Sequence, residues 1–383
     1  MLLSLTLSWG ALCCALQSEA ITPATEAGPH AAAAPEVPSA AAALRDWHPK
    51  TVEEWEARFA HEGVQLQSWG RLELWSDDRK TFEALAPALE AAWQAADELL
   101  DTSFLPDGAV IRVIASDRSQ TLVDYWELLH EGAQRCGVAA PPAYLLSGAN
   151  GMGSAHWNLP PTVLLNSSAE KLDSLPTRAV HEVAVLLAGW ASSWSGYGAP
   201  EFLEEGLAGM IERRALKRPA ALVYHDRAAL KTTIHGYGVF AGIGEAMNDS
   251  SNAPGNWPKI IHNAVGKMQR EWKSKSKRKK LDTRQRIDAL LLRTHEQFAR
   301  ADYAYAWAVM EFLFDDQAAA EQQSNRTKLL RVLAGMRGTD HAALPQDKRS
   351  KLFQQELLAA FDQGGEELHL AFLAWAENSL PRR

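Results

Sequence analysis

His181 and Glu182 stand together in an apolar run, Ala179-Val180-His181-Glu182-Val183-Ala184-Val185. A carboxylate-rich stretch, Pro200-Glu201-Phe202-Leu203-Glu204-Glu205-Gly206-Leu207-Ala208, follows after a loop of Ala, Ser, Trp and Gly. A hydrolytic zinc centre built on one helix needs two imidazoles four residues apart, because that spacing stacks them on one face where both reach the same ion. The Glu beside the first imidazole binds no metal in such a centre. It takes the proton of the zinc-bound water and passes it to the leaving amine. A third ligand comes from elsewhere in the chain. Here the second imidazole belongs at position 185, which is Val, and no other His lies within a turn of His181. Two protein ligands leave an ion mostly aquated, and Val185 sets a dry wall where a donor is needed.

The elements that must carry these residues read as follows. Thr51-Val52-Glu53-Glu54 opens a helix with a capping box. Alternating runs at 64–68 and 71–75 flank Gly70 and predict a hairpin. A helix is predicted over 81–100, a strand over 109–115, a helix over 122–136, and short strands over 143–147 and 162–166. From Leu175 onward the patterns predict helices over 175–194, 200–217, 257–273, 283–299, 301–316, 325–337, 349–361 and 366–379. Strands crowd the first half and helices fill the second, so the fold class is α+β rather than alternating βαβ units. There is no internal repeat.

The stretch from Val180 to Ala208 resembles the peptidase MA-like gluzincins, and most of all their bacterial, planctomycete-type group of unknown function. That group carries an apolar-His-Glu-x-x-His helix, a loop, and a helix with a Pro-x-aromatic-Leu-x-Glu-Gly-Leu-Ala pattern. Pro200 to Ala208 follows that pattern residue by residue, which implies Glu205 as the third metal ligand beside His181 and Glu182 as the general base of an active site. Tyr303-Ala304-Tyr305-Ala306-Trp307-Ala308-Val309 resembles a further helix of the group and implies Tyr303 as a catalytic candidate. Phe361 and the segment 368–380, with Ala374-Trp375, resemble its closing helices. The resemblance implies a gluzincin-like fold in which a small N-terminal mixed sheet with helices (45–172) precedes a helical lobe (173–383). It also implies a metallopeptidase ancestry for a chain whose motif is degenerate at Val185.

Three expectations compete for such a site. His181-Glu182 as a chance dipeptide is made improbable by Pro200–Ala208 at the right distance. An active zinc metallopeptidase would need a substitute ligand, with His156, His225, His235 and His262 as the candidates. The expected reading is the third: a scaffold with no zinc or only weakly bound Zn2+, without hydrolysis, because replacing a ligand requires backbone geometry to move by ångströms. Such a scaffold can still hold a peptide or envelope protein by strand addition. Gly189-Trp190, Trp194, Tyr197 and Gly198 would then line the cleft or pack in the core.

Composition bounds the setting. Of 383 residues, 46% are hydrophobic and 22% charged, which excludes wholesale disorder and rod-like coiled coils. Lys+Arg 39 against Asp+Glu 47 gives a net charge of −8, which speaks against a specific nucleic-acid binder. Residues 2–16 form an uncharged apolar stretch and Ser18-Glu19-Ala20 a cleavage site, so 1–20 is expected to be a signal peptide and the destination extracytoplasmic. Pro and Ala dominate 21–44, an expected tether. With Cys13 and Cys14 removed, Cys136 stands alone and no intrachain disulfide forms. Lys267–Lys280 is strongly basic, and a solvated loop is the simpler expectation over contact with an anionic surface.

Overall fold

The computed structural model describes residues 63–100, 109–136, 154–158, 160–168, 175–192, 199–217, 286–294, 300–315, 324–337 and 344–380, with single positions between them. The expected signal peptide, the tether 21–44, the strand 143–147, most of Lys267–Lys280, His225, His235, Trp194, Tyr197 and Gly198 lie outside the described residues. Of the helices expected from Thr51 and over 257–273, only scattered helical positions are described.

Two strands, β1 (Gln65–Trp69) and β2 (Leu72–Ser76), pair antiparallel about Gly70. Gly70 has φ +58, and a Cβ there would stand 2.6 Å from Nε1 of Trp93, so both backbone and packing require glycine. Helix α1 (Arg79–Leu100) leads to β3 (Ile111–Ser116), and α2 (Ser119–Cys136) leads on towards the hairpin of β4 (Ser154–Asn158) and β5 (Pro161–Asn166). The sheet order is β1-β2-β3-β5-β4, with β2, β3 and β5 parallel and the two outer strands antiparallel to their neighbours. Every position of β3 and β5 is buried, as expected for central strands covered on both faces.

Strand periodicity sorts the side chains into two cores. Leu72, Leu74, Ile111, Val113, Val163 and Leu165 join the helical lobe, whereas Trp75, Ile114, Trp157 and Leu164 pack under α2 with Leu122, Tyr125 and Leu129. Trp157 faces α2, so its strand neighbours His156 and Asn158, together with Ser154, face the helical side. Under α2 the buried Arg112 is held by Glu73 at 3.1 Å and stacks on the ring of Trp75.

The helical lobe comprises α3 (Leu175–Ser192), α4 (Glu201–Leu216), a single turn α5 (Ile287–Leu290), α6 (Arg300–Leu313), α7 (Asn325–Arg337), α8 (Gln346–Phe361) and α9 (Gly365–Ser379). Helix α3 is almost wholly buried from Val183 to Ser192, which explains its continuous apolar sequence. Arg326 on α7 donates to the carbonyls of Glu98 and Leu99, fastening α7 to the end of α1. The chain is thus an α+β protein with a small mixed sheet and a helical C-terminal half.

Two expectations need correction. Strand β4 was not foreseen, because Ser-Ala-His-Trp-Asn has neither β-branched residues nor a clean alternation. Of the helix expected over 283–299, the described residues 286–294, 297 and 298 form the turn α5 followed by backbone that is not α-helical. There Arg293 is buried and ion-paired with Asp302, and Gln297 accepts from the Thr294 amide, contacts that the chain makes by leaving the helical path.

Helices α4 and α6 touch backbone to side chain at Gly206. A Cβ at Gly206 would stand 2.4 Å from Cγ of Met310 and 3.0 Å from the carbonyl oxygen of Ala306. Gly206→Ala is therefore expected to lower unfolding stability by about 1–3 kcal/mol, the usual cost of overpacking, despite the higher helix propensity of Ala. Urea denaturation with an unchanged m value checks this.

Candidate functional site

His181 and Glu182 are neighbours on α3, but successive residues of a helix point about 100° apart, and the two side chains serve different elements. His181 turns towards α4. Its Nδ1 lies 2.7 Å from Oε1 of Glu212 and its Nε2 lies 4.0 Å from Oε2 of Glu205. Glu205 and Glu212 are seven residues apart, two helical turns, so one face of α4 presents both to the same imidazole. Helix α4 begins at Pro200, whose carbonyl accepts the amides of Leu203 and Glu204, and Glu201 lies in its first turn, where a carboxylate complements the helix dipole.

Glu182 turns the other way, to the outer strand of the sheet. Its Oε1 accepts from the Ser154 hydroxyl at 2.6 Å, and its Oε2 lies 2.6 Å from Nδ1 of His156. Ser154 and His156 are two apart on β4 and therefore share a face, and together they engage both carboxylate oxygens. Arg178, one turn before Glu182 on α3, donates to the Ser154 hydroxyl at 3.1 Å.

The electrostatics follow from this geometry. Burial pulls the His181 imidazolium down, but the hydrogen bond to Glu212 and the charges of Glu205, Glu212 and Glu182 outweigh it and carry His181 up to about 9. Burial likewise pushes Glu182 up, and the hydrogen bonds and charges of His156, His181 and Ser154 overcome it and bring Glu182 down to about 2. Burial and the charges of Glu201 and Glu205 push Glu204 well above the usual carboxylate range. Tyr303, buried on α6 edge-on to Phe298, is pushed up by burial and by the charges of Glu205, Glu201 and Asp302, so its phenol stays neutral beside Glu205.

Zinc–nitrogen and zinc–oxygen bonds of roughly 2.0–2.2 Å put two donors of a tetrahedral ion about 3.3–3.6 Å apart, so His181 and Glu205 are near the separation of a ligand pair. The rest of the set does not fit a catalytic zinc. Val185, one turn along α3 and 9% exposed, is aliphatic. Both oxygens of Glu182 are engaged by β4. Among the described residues no group of three His, Cys, Asp or Glu side chains is disposed to hold a metal.

Of the substitute ligands considered above, His156 is tied to Glu182, and the Nδ1 of His262 lies 3.3 Å from the carbonyl of Ala376 on α9. Trp190 is fully buried in the main core. Sequence reasoning missed Glu212 and Ser154. The signal for Glu212 was present: one acid after the apolar run Gly206–Ile211, two turns beyond Glu205. Ser154 carried no signal without knowledge of β4. Comparison of the chain with protein-family models, with curated proteins and with solved structures finds no match.

The sign of the pH dependence is fixed by His181. Its pKa in the folded chain lies above its ordinary value of 6.5, so the imidazolium's contribution to stability is whole below pH 6.5 and is lost as pH climbs through about 9. Glu212→Gln keeps the shape and removes the charge. It is expected to cost about 1–3 kcal/mol at pH 6, with the gap to wild type closing above pH 9. Denaturation curves across pH 5–10 check this.

Proposed function

We propose that this chain is an exported peptidase MA-like domain protein whose zinc centre is incomplete, acting in the cell envelope as a peptide- or protein-binding or regulatory module rather than as a zinc peptidase. The supporting observation is that His181 and Glu205 converge as two ligands of one ion do, while the position that would complete the set is Val185. Without a third donor, His181 and Glu205 are left to each other and to Glu212, and the sheet ends at β4 among the described residues. A ligand that needs no chemistry can still use that edge: an extended peptide adding to β4 would gain main-chain hydrogen bonds, with side-chain contacts on alternate residues. The basic segment Lys267–Lys280 offers a further contact to an anionic surface.

Binding of a random decapeptide pool by the mature protein tests this. Capture should be unchanged by EDTA, and bound peptide should slow amide exchange within β4. Chelator-sensitive capture, or zinc-dependent cleavage of the pool, contradicts the reading. The missing donor has its own test. Val185→His restores imidazoles at i and i+4 and should raise zinc affinity by more than the ~10–100-fold that an outer-shell contact alone supplies. Zinc should then raise the Tm of the variant and barely move the wild type, because a ligand that binds only the folded state stabilises it by mass action.

A further inference from the structure

Glu182, Ser154 and His156 form a second constellation beside the His181–Glu205 pair, and its geometry has a chemistry of its own. A buried carboxylate accepts at one oxygen from Ser154 and meets Nδ1 of an imidazole at the other. Arg178 steadies the serine. The carboxylate side chain is 13% exposed whereas the imidazole is 34% exposed. Nδ1 is the nitrogen turned against Glu182, and among the described residues Nε2 has no hydrogen-bond partner. An imidazole with Nδ1–H donated to a carboxylate is fixed in the tautomer whose Nε2 lone pair accepts a proton. The residue sits on β4, the last strand of the sheet among the described residues.

We propose that His156 is a metal-independent general base for the hydrolysis of carboxylic esters, with Glu182 and Ser154 as positioning residues. Nε2 takes a proton from a water as the water oxygen bonds to the ester carbonyl carbon. The bond from that carbon to the leaving oxygen then breaks, releasing the acid and an alkoxide or phenoxide. The proton on Nε2 returns to that oxygen or to solvent, so atoms and charge balance without a further reactant. The same arrangement gives Glu182 a task, since its two oxygens point to β4 and not into the space between His181 and Glu205. The inference is independent of peptide binding, which is read by capture and amide exchange rather than by turnover.

The test uses the full mature protein, p-nitrophenyl acetate and EDTA throughout. Wild type should release p-nitrophenolate at a rate that chelator leaves unchanged, that rises with pH through one protonation, and that falls in D2O. His156→Gln should lose ~100-fold or more, the usual size of general-base catalysis. Glu182→Gln should lose less and also move the pH profile, which a merely structural role would not do. Ser154→Ala should show the same in milder form. His130→Ala, on the far helix α2, should match wild type. Circular dichroism and a melting curve for His156→Gln separate lost chemistry from lost fold. The proposal is overturned if folded His156→Gln hydrolyses the ester as fast as wild type, if wild type does not exceed the His156→Gln rate, or if the rate appears only with added zinc. It is also overturned if an acylated imidazole accumulates without any slowing in D2O.

Discussion

The buried carboxylate of Glu212 is the constraint from which the site is built. It is fully enclosed between α3 and α4, and an ionised carboxylate there costs several kcal/mol unless a cation meets it. The cation is His181, at 2.7 Å. That pairing fixes the rotation of α4 about its axis. Glu205, on the same stripe, then has to face His181, while Gly206 and Gly209, on the stripe beside it, have to meet α6 at Met310, Ala306 and Trp307. One ion pair thus orients the acidic face and the close-packed face of α4 together. The buried Tyr303 on α6 feels the charges of Glu205 and Glu201 on α4.

A second consequence concerns division of labour on α3. In a zinc centre the His and the adjacent Glu serve one ion from two sides. Here they serve two elements: His181 joins α3 to α4, and Glu182 joins α3 to β4. Imidazolium against carboxylate does for the helix pair what a dication would do, balancing buried negative charge in a low-dielectric space. Metal binding would have to displace that proton from His181, and Val185 offers no donor to offset the cost. Glu182, turned away from His181, meets His156 and Ser154 instead.

Much of this was legible in the sequence, and the limits have physical causes. The run Pro200–Ala208 and the spacing from His181 placed one imidazole and one carboxylate on two adjacent helices, and the helices α3, α4, α6, α7, α8 and α9 lie within a few residues of their expected ranges. The hairpin at Gly70 was legible because a positive φ selects glycine. Strand β4 was not, since its sequence is polar and its strand character comes from pairing with β5. His156 and Ser154 could therefore not be placed beside Glu182, because their meeting depends on a sheet edge that local sequence does not encode. Glu212 had a spacing signal, two turns beyond Glu205, but its burial had none. A single acid near a helix end reads as solvated, and only the packing of α3 against α4 makes it a buried partner. After α5 the described backbone leaves the helical path that the sequence pattern suggested, and there Arg293 pairs with Asp302.

The central claim is that ionic pairing, not zinc, fills the space between α3 and α4. Metal analysis of the purified protein after exhaustive dialysis addresses it most directly. The account predicts zinc far below one atom per chain, with His181 visible by NMR as an imidazolium at neutral pH. One zinc per chain surviving dialysis, with His181 neutral and shifted by the metal, would contradict it and show that a residue outside the described part of the chain supplies the third donor.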